Sequence, residues 1–318
     1  FEDEIKDSQL RMMFVCCHPG LPAEAQVALT LKVLCGFGER EIAAAFLTTE
    51  AGVAKRLGRA RSFLRAQGIT TEIPGTADLL QRLNAVRQAL YLLFNEGYKA
   101  SHGSALLRED LCEAAMRLGE LLVSHVFAND AETHALLALM CFNAARMPAR
   151  VDAEGAIFTM ATQDRGLWDQ ERIACGVRHL GLSGGAPRVS RYHLEAGIAA
   201  CHTLARGEAE TDWGQILGLY DMLLEMAPSP VVALNRAVAL SKVKGARAGL
   251  RALETMEGRF ALKNYHLLDV VAGHLHMGAG EQAAAAVRFR RAHGLATLGA
   301  ERDLLARRIA EAESRVVS

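Results

Sequence analysis

The chain has 318 residues, 51% of them hydrophobic and 23% charged, with 36 Lys+Arg against 36 Asp+Glu. That balance excludes a wholly disordered chain and a uniform polycation, and the length provides for roughly two domains of about 100–200 residues. Gly (28) and Pro (7) are too sparse for collagen or a low-complexity linker, and no uncharged apolar run reaches the ~18–20 residues of a membrane helix, so a soluble, cytoplasmic protein is expected.

Aromatic residues make up only 6%, and Ala, Leu, Glu and Arg recur at spacings of three and four over most of the length, which predicts an all-α fold. The first residues, Phe1-Glu2-Asp3-Glu4, are acidic where a signal peptide is basic. The chain starts at Phe rather than Met, so a part of a longer gene product is expected. Seven cysteines, at 16, 17, 35, 112, 141, 175 and 201, follow no regular spacing and read as reduced core thiols. Cys16-Cys17-His18 lacks the spaced ligand pairs of structural zinc, so packed thiols in the first helical layer, and no metal, are expected.

Three helices are predicted next. Pro22-Ala23-Glu24 opens the first, with Pro in the first turn and an acid at the positive end of the helix dipole. Ala25, Val27, Ala28, Leu31 and Leu34 line one of its faces, and Gly36 ends it. Glu39 to Phe46 forms a short second helix with Ile42, Ala43 and Phe46 inward. Thr48 or Thr49 then caps a third, Glu50 to Gln67. At 100° per residue Val53, Leu57, Ala60 and Leu64 form its inner stripe. Lys55 and Arg59 point the opposite way, Gly52 also lies outward, and Arg56 and Arg65 stand at the flanks. From Val53 to Arg65 there are five positive residues and no negative one. A charge run on a helix is often only a solvated face. Here acids at i±4 are missing and the helix is the third of a helix-turn-helix, a combination that points to DNA, whose major groove admits one α-helix.

Gly68 to Gly75, with Thr70, Thr71 and Pro74, reads as a domain boundary, giving a module at 1–70 and an all-α extension at 76–318. Within the extension Asn95, Glu96 and Tyr98 are expected to anchor its first helix. Arg150, Asp152, Asp164, Arg165 and Trp168 form a polar group that either binds a ligand or pins a loop through ion pairs. Gly181 to Pro187 (GLSGGAP) is expected to be a long loop. From about 205 to 318, helix pairs of roughly 33–34 residues repeat: 213–226, then 231–244 with 246–256, then 265–277 with 281–293. Gly245 and Gly278 fall at matching turns, and Ala237, Ala239, Ala272 and Ala283 to Ala286 sit where helices approach. These hairpins resemble tetratricopeptide (TPR) repeats, with Trp213 and Tyr220 at the spacing of that motif's first helix; an irregular bundle is the alternative. Either arrangement leaves a groove suited to a protein partner. His274 and His276, and likewise His193 and His202, point to different faces. HExxH, GxxxxGK, GxGxxG and GxSxG motifs are missing, so no enzyme and no cofactor is expected.

Several segments resemble one family. Thr49 to Arg61 (TEAGVAKRLGRAR) is similar to the recognition helix of region 4 in bacterial extracytoplasmic-function sigma factors. Gln9 to Pro19 (QLRMMFVCCHP), Leu90 to Tyr98 (LYLLFNEGY), Arg146 to Asp152 (RMPARVD), Gln163 to Trp168 (QDRGLW) and Pro228 to Val238 (PSPVVALNRAV) resemble the branch with a long C-terminal, TPR-like extension.

The resemblance implies that region 4 docks on the β flap of the RNA polymerase core and places its third helix in the major groove of the promoter −35 element. Thr49, Glu50 and Gly52 would then lie near bases, Lys55 and Arg56 would reach bases or phosphates, and Arg59 would neutralise phosphate. It implies a sigma region 2 in cis that is missing upstream of Phe1, so that this part alone does not initiate transcription. The extension would regulate the sigma factor or receive a regulatory protein. The alternatives are a helical scaffold whose helix-turn-helix binds only protein and, further off, an enzymatic or ligand-binding extension.

Overall fold

Local signals delimit the helices of this chain, whose computed structural model describes residues 2–46, 48–69, 76–98, 107–152, 155–185 and 187–314. In chain order they are α1 (Glu2–Cys16), α2 (Ala23–Leu34), α3 (Glu39–Ala45), α4 (Glu50–Ala66), α5 (Thr76–Tyr98), α6 (Glu109–Val123), α7 (Ala131–Ala145), α8 (Gln170–Ser183), α9 (Arg191–Leu204), α10 (Trp213–Met226), α11 (Pro230–Lys244), α12 (Ala246–Thr255), α13 (His266–Gly278), α14 (Gln282–Leu295) and α15 (Gly299–Ser314). Side-chain caps fix several starts. Thr49, Asp130, Asp169 and Asp212 each accept the backbone N–H three residues on, at 3.0, 2.9, 3.0 and 2.8 Å. Gly36, at φ +74°, closes α2 as expected, and the Phe37 N–H returns to the Leu31 carbonyl at 3.0 Å. Among the described residues the fold is all-α, its one extended pairing being an isolated antiparallel bridge between Val151 and Ile157.

One hydrophobic core joins the first seven helices. Leu10, Met13 and Phe14 of α1, Val27 and Leu31 of α2, Val53 and Leu57 of α4, Leu83, Leu90 and Leu93 of α5, Leu118 of α6 and Leu136 of α7 are all buried in it. The segment 70–75, where a domain boundary is expected, lies outside the described residues, and the core is continuous on either side of it. α7 is buried on nearly all faces, as a central helix must be, and packs on α6, α8 and α9. A buried cation ties α5 to α7. The Arg87 side chain is 2% exposed, donates to Thr133 Oγ1 at 3.0 Å and pairs with Asp130 and, at 3.0 Å, with Glu132.

From α10 onward each helix packs on the next, with small clusters in place of one large core. The helices predicted over 213–293 lie within two residues of α10–α14. Gly245 makes its turn at φ +85°. The corresponding left-handed residue is Gly280 at φ +78° rather than Gly278, which ends α13 with its Cα face against Ala246. Ala237, Ala239, Ala272, Ala285 and Ala286 are buried between helices, whereas Ala283 is exposed. The long loop expected from Gly181 is shorter: α8 continues through Ser183, whose hydroxyl donates to the Leu180 carbonyl at 2.7 Å. A glycine in the last turn costs a helix little, and the break comes at Gly184–Gly185, the latter at φ +83°.

Candidate nucleic-acid interface

α4 is seated by its apolar stripe. Val53, Leu57 and Ala60 are buried in the shared core, and Phe63 and Leu64 are half-buried beside it. The helix packs on α2 and α3, which completes the helix-turn-helix. Its opposite side is open: Ala51, Ala54, Lys55, Gly58, Arg59, Arg61, Ser62 and Arg65 are exposed. At about 100° per residue, Ala51, Gly58 and Ser62 form a strip of small side chains along that side, with Ala54 out on one flank between Arg65 and Arg61. Lys55 and Arg59 border the strip at about 40° and 80° on one flank, and Arg65 and Arg61 at about the same angles on the other. The exposed face is therefore low in the middle and cationic along both edges.

The predicted site residues separate into groups. Thr49 caps α4 through its hydroxyl, Glu50 is exposed in the first turn, and Lys55 and Arg59 are exposed on the cationic edge. Gly52 is half-buried, with Thr48 Oγ1 and Thr49 Oγ1 3.0 and 3.1 Å from where a Cβ would stand, so it faces the turn. Arg56 leaves the group: it reaches back to α2 and pairs with Glu24 at 2.8 Å. The two line a cleft of about 400 Å³ with Leu21, Pro22, Arg59 and Phe63. Arg61 is a further cation of the open side that is absent from the predicted set, although the 100° spacing places it there.

Elsewhere the expected groups hold loops. Arg150 donates to the Tyr98 carbonyl at 2.5 Å and lies 4.1 Å over the Tyr98 ring, which closes the end of α5 onto the segment after α7. Asp152 accepts the Ala156 N–H at 2.7 Å and Asp164 the Gly166 N–H at 2.8 Å, each within its own turn. Arg165 donates to the carbonyls of His202 and Ala205 at 2.8 and 2.6 Å and lies 4.5 Å over Trp168. The two carboxylates thus serve separate turns. Cys16 and Cys17 are buried thiols of α1 and the turn after it; burial pushes Cys17 up to about 12 and Cys16 higher still. No helix among the described residues is long and apolar enough to cross a membrane.

Residues 11–64, from the second half of α1 to the end of the α4 stripe, match the family described as Sigma-70, region 4. Residues 82–184 match a family of unknown function, DUF6596. Over 296 residues the chain is 40% identical to the uncharacterized protein R00370 of Rhizobium meliloti (strain 1021), covering 93% of this chain and 69% of that one. The chain belongs to the family of that rhizobial protein, and its region 4 makes it a sigma-factor-like protein with a helix-turn-helix directed at promoter DNA.

Proposed function

We propose that the chain acts as a sigma factor of the extracytoplasmic-function group, with α4 in the major groove of the −35 element and region 4 docked on the β flap of the polymerase core. The observation that supports this reading best is the exposed face of α4. A groove about 12 Å wide accepts a helix whose central side chains are small, and cations on both flanks lie toward the two phosphate backbones. Lys55, Arg59, Arg61 and Arg65 serve to neutralise phosphates; Thr49 and Glu50 lie at the end of the helix that enters the groove. Binding of the full chain with polymerase core to a promoter duplex, followed across salt, tests it. Changing Lys55, Arg59 and Arg61 together to Ala should weaken binding and flatten log K against log salt by about 0.9 for each phosphate left without its cation. An unchanged affinity and slope would leave a helix-turn-helix that binds only protein.

The extension acts as a regulatory partner surface built from TPR-like hairpins. A cleft of about 770 Å³ supports this: Trp213 and Tyr220 give it an aromatic wall, and its charged lining is Arg165, Lys242 and Arg308 against Glu208, with Lys242 paired to Glu208 at 2.5 Å and Arg308 to Glu311 at 2.8 Å. Its occupant is a protein segment with acidic and apolar residues, and no step in the reading is catalytic. Asn235 is exposed in the wall of this cleft. Asn235→Glu should therefore change transcription from a cognate promoter without changing duplex binding by α4. Equal transcription with and without the substitution would count against the extension's role.

A further inference from the structure

Five polar side chains from three helices meet at one place outside region 4. Cys175 and His179 lie one turn apart on α8, Glu120 reaches them from α6, and His134 and Cys141 stand behind them on α7. The Cys175 Sγ, His179 Nε2 and Glu120 carboxylate oxygen all lie within 4.8 Å of one another. His179 Nε2 is 3.0 Å from Glu120 Oε1, and Cys175 Sγ is 3.9 Å from that same oxygen.

Hydrogen-bond accounting fixes the protons. Asn129 Nδ2 donates to the Val123 carbonyl at 2.8 Å, so its Oδ1 is the atom that faces His134 Nε2 at 2.9 Å. His134 therefore carries its proton on Nε2 and accepts at Nδ1. The His179 Nδ1 atom, 2.8 Å away, must donate to it. This leaves the second nitrogen of His179, Nε2, with its lone pair facing a carboxylate oxygen at 3.0 Å and the Arg178 guanidinium beside it at 3.4 Å. A proton or a metal ion between nitrogen and oxygen would turn that contact into an attraction.

We propose that Cys175, His179 and Glu120 bind a thiophilic divalent cation of the zinc class, the metal taking the place of the proton between His179 and Glu120. The geometry fits the chemistry. Zn–S of about 2.3 Å and Zn–N or Zn–O of about 2.0–2.1 Å, set tetrahedrally, separate ligand atoms by about 3.3–3.6 Å. The two separations above bracket that range. The imidazole is already oriented by a hydrogen bond from its other nitrogen, the arrangement found around ligating histidines. The Cys141 thiol donates to Cys175 Sγ at 3.3 Å. That bond, with His179 and Arg178 nearby, lowers the Cys175 thiol from its ordinary value against the opposing effects of burial and of Glu120. Glu120 and Cys175 are partly exposed, leaving a route in, while His179 is 3% exposed. One cation opposes metal: the exposed Arg178 lies 3.5 Å from Cys175 Sγ and 3.4 Å from His179 Nε2 and must swing outward. The chain has no paired C-x₂₋₄-C spacing here; the cluster forms only when α6, α7 and α8 pack.

Cobalt(II) titration of the reduced full chain tests the site, because thiolate ligation gives a near-ultraviolet charge-transfer band and tetrahedral geometry gives strong visible bands. One equivalent should develop both. Cys175→Ser should abolish the charge-transfer band, and Glu120→Gln, at a partly exposed position, should weaken binding at least about tenfold. Cys141→Ser should retain both bands, and Arg178→Ala should tighten binding. Circular dichroism checks that each variant is folded. The proposal fails if stoichiometric cobalt gives no charge-transfer band, or if the band survives in Cys175→Ser. It fails equally if the protein purified under reducing conditions holds a Cys141–Cys175 disulfide that excludes metal.

Discussion

Glu24 governs how much of the α4 charge is free. Its pairing with Arg56 is exposed on the carboxylate side, 75% against 29%, so the bond itself contributes about 0–1 kcal/mol. Its larger effect is on binding. It withholds one cation from the open face and places an anion next to Arg59, across the cleft that they share. Glu24→Gln should leave the melting temperature nearly unchanged, strengthen duplex binding about threefold at low salt and steepen the salt slope by up to about 0.9. Arg59→Ala should cost more affinity than Arg56→Ala. Fluorescence anisotropy over a salt series checks both; identical slopes for wild type and Glu24→Gln would show that Arg56 stays away from phosphate.

At the scale of elements, the close approach of α5 and α6 depends on Gly97. A Cβ there would stand 2.7 Å from the Arg108 carbonyl oxygen and 2.9 Å from the Cys112 nitrogen, and backbone atoms cannot yield without moving α6. Gly97→Ala should destabilise the protein by about 1–3 kcal/mol in thermal or urea unfolding. Gly58→Ala makes the contrast, since nothing lies within 4 Å of its Cβ position and Ala is the better helix former by up to about 1 kcal/mol. That variant should melt higher. Such features divide into those legible in the sequence and those that are not. The α4 stripe, the Thr49 cap and the Gly36 terminus are set within one or two turns, so periodicity and cap chemistry suffice to place them. The Arg56–Glu24 pair, the packing of Gly97 on α6 and the cluster around His179 join residues far apart in the chain, and single-helix patterns do not contain them. Gly181 shows the reverse error: a glycine-rich string looks like a loop, yet its first three residues finish a helix whose Gly176, His179 and Ser183 are buried.

For the whole molecule, the formal net charge of zero hides a local excess on one helix face, so long-range attraction to DNA is weak, and in the function proposed above the polymerase would supply much of the affinity. The seating of that face depends on residues well beyond region 4, because α5 packs on α1, α2 and α7 while contributing Leu83, Leu90 and Leu93 to the same core as Val53 and Leu57. The DNA-facing helix and the first helices of the extension should therefore unfold together. Leu90 is fully buried on α5 and has no place on the DNA face. Leu90→Ala should lower stability by about 2–5 kcal/mol through reduced burial and a cavity. In native-state hydrogen exchange the amides of α2, α4 and α5 should lose protection by the same amount, as members of one cooperative unit do. Loss confined to α5, with α4 retaining its full protection, would mean that region 4 keeps an independent core. In that case cutting the chain near residue 75 would leave a stable DNA-binding piece; with a shared core the same cut strips the apolar wall from α1 and α2 and yields a fragment without a cooperative melt.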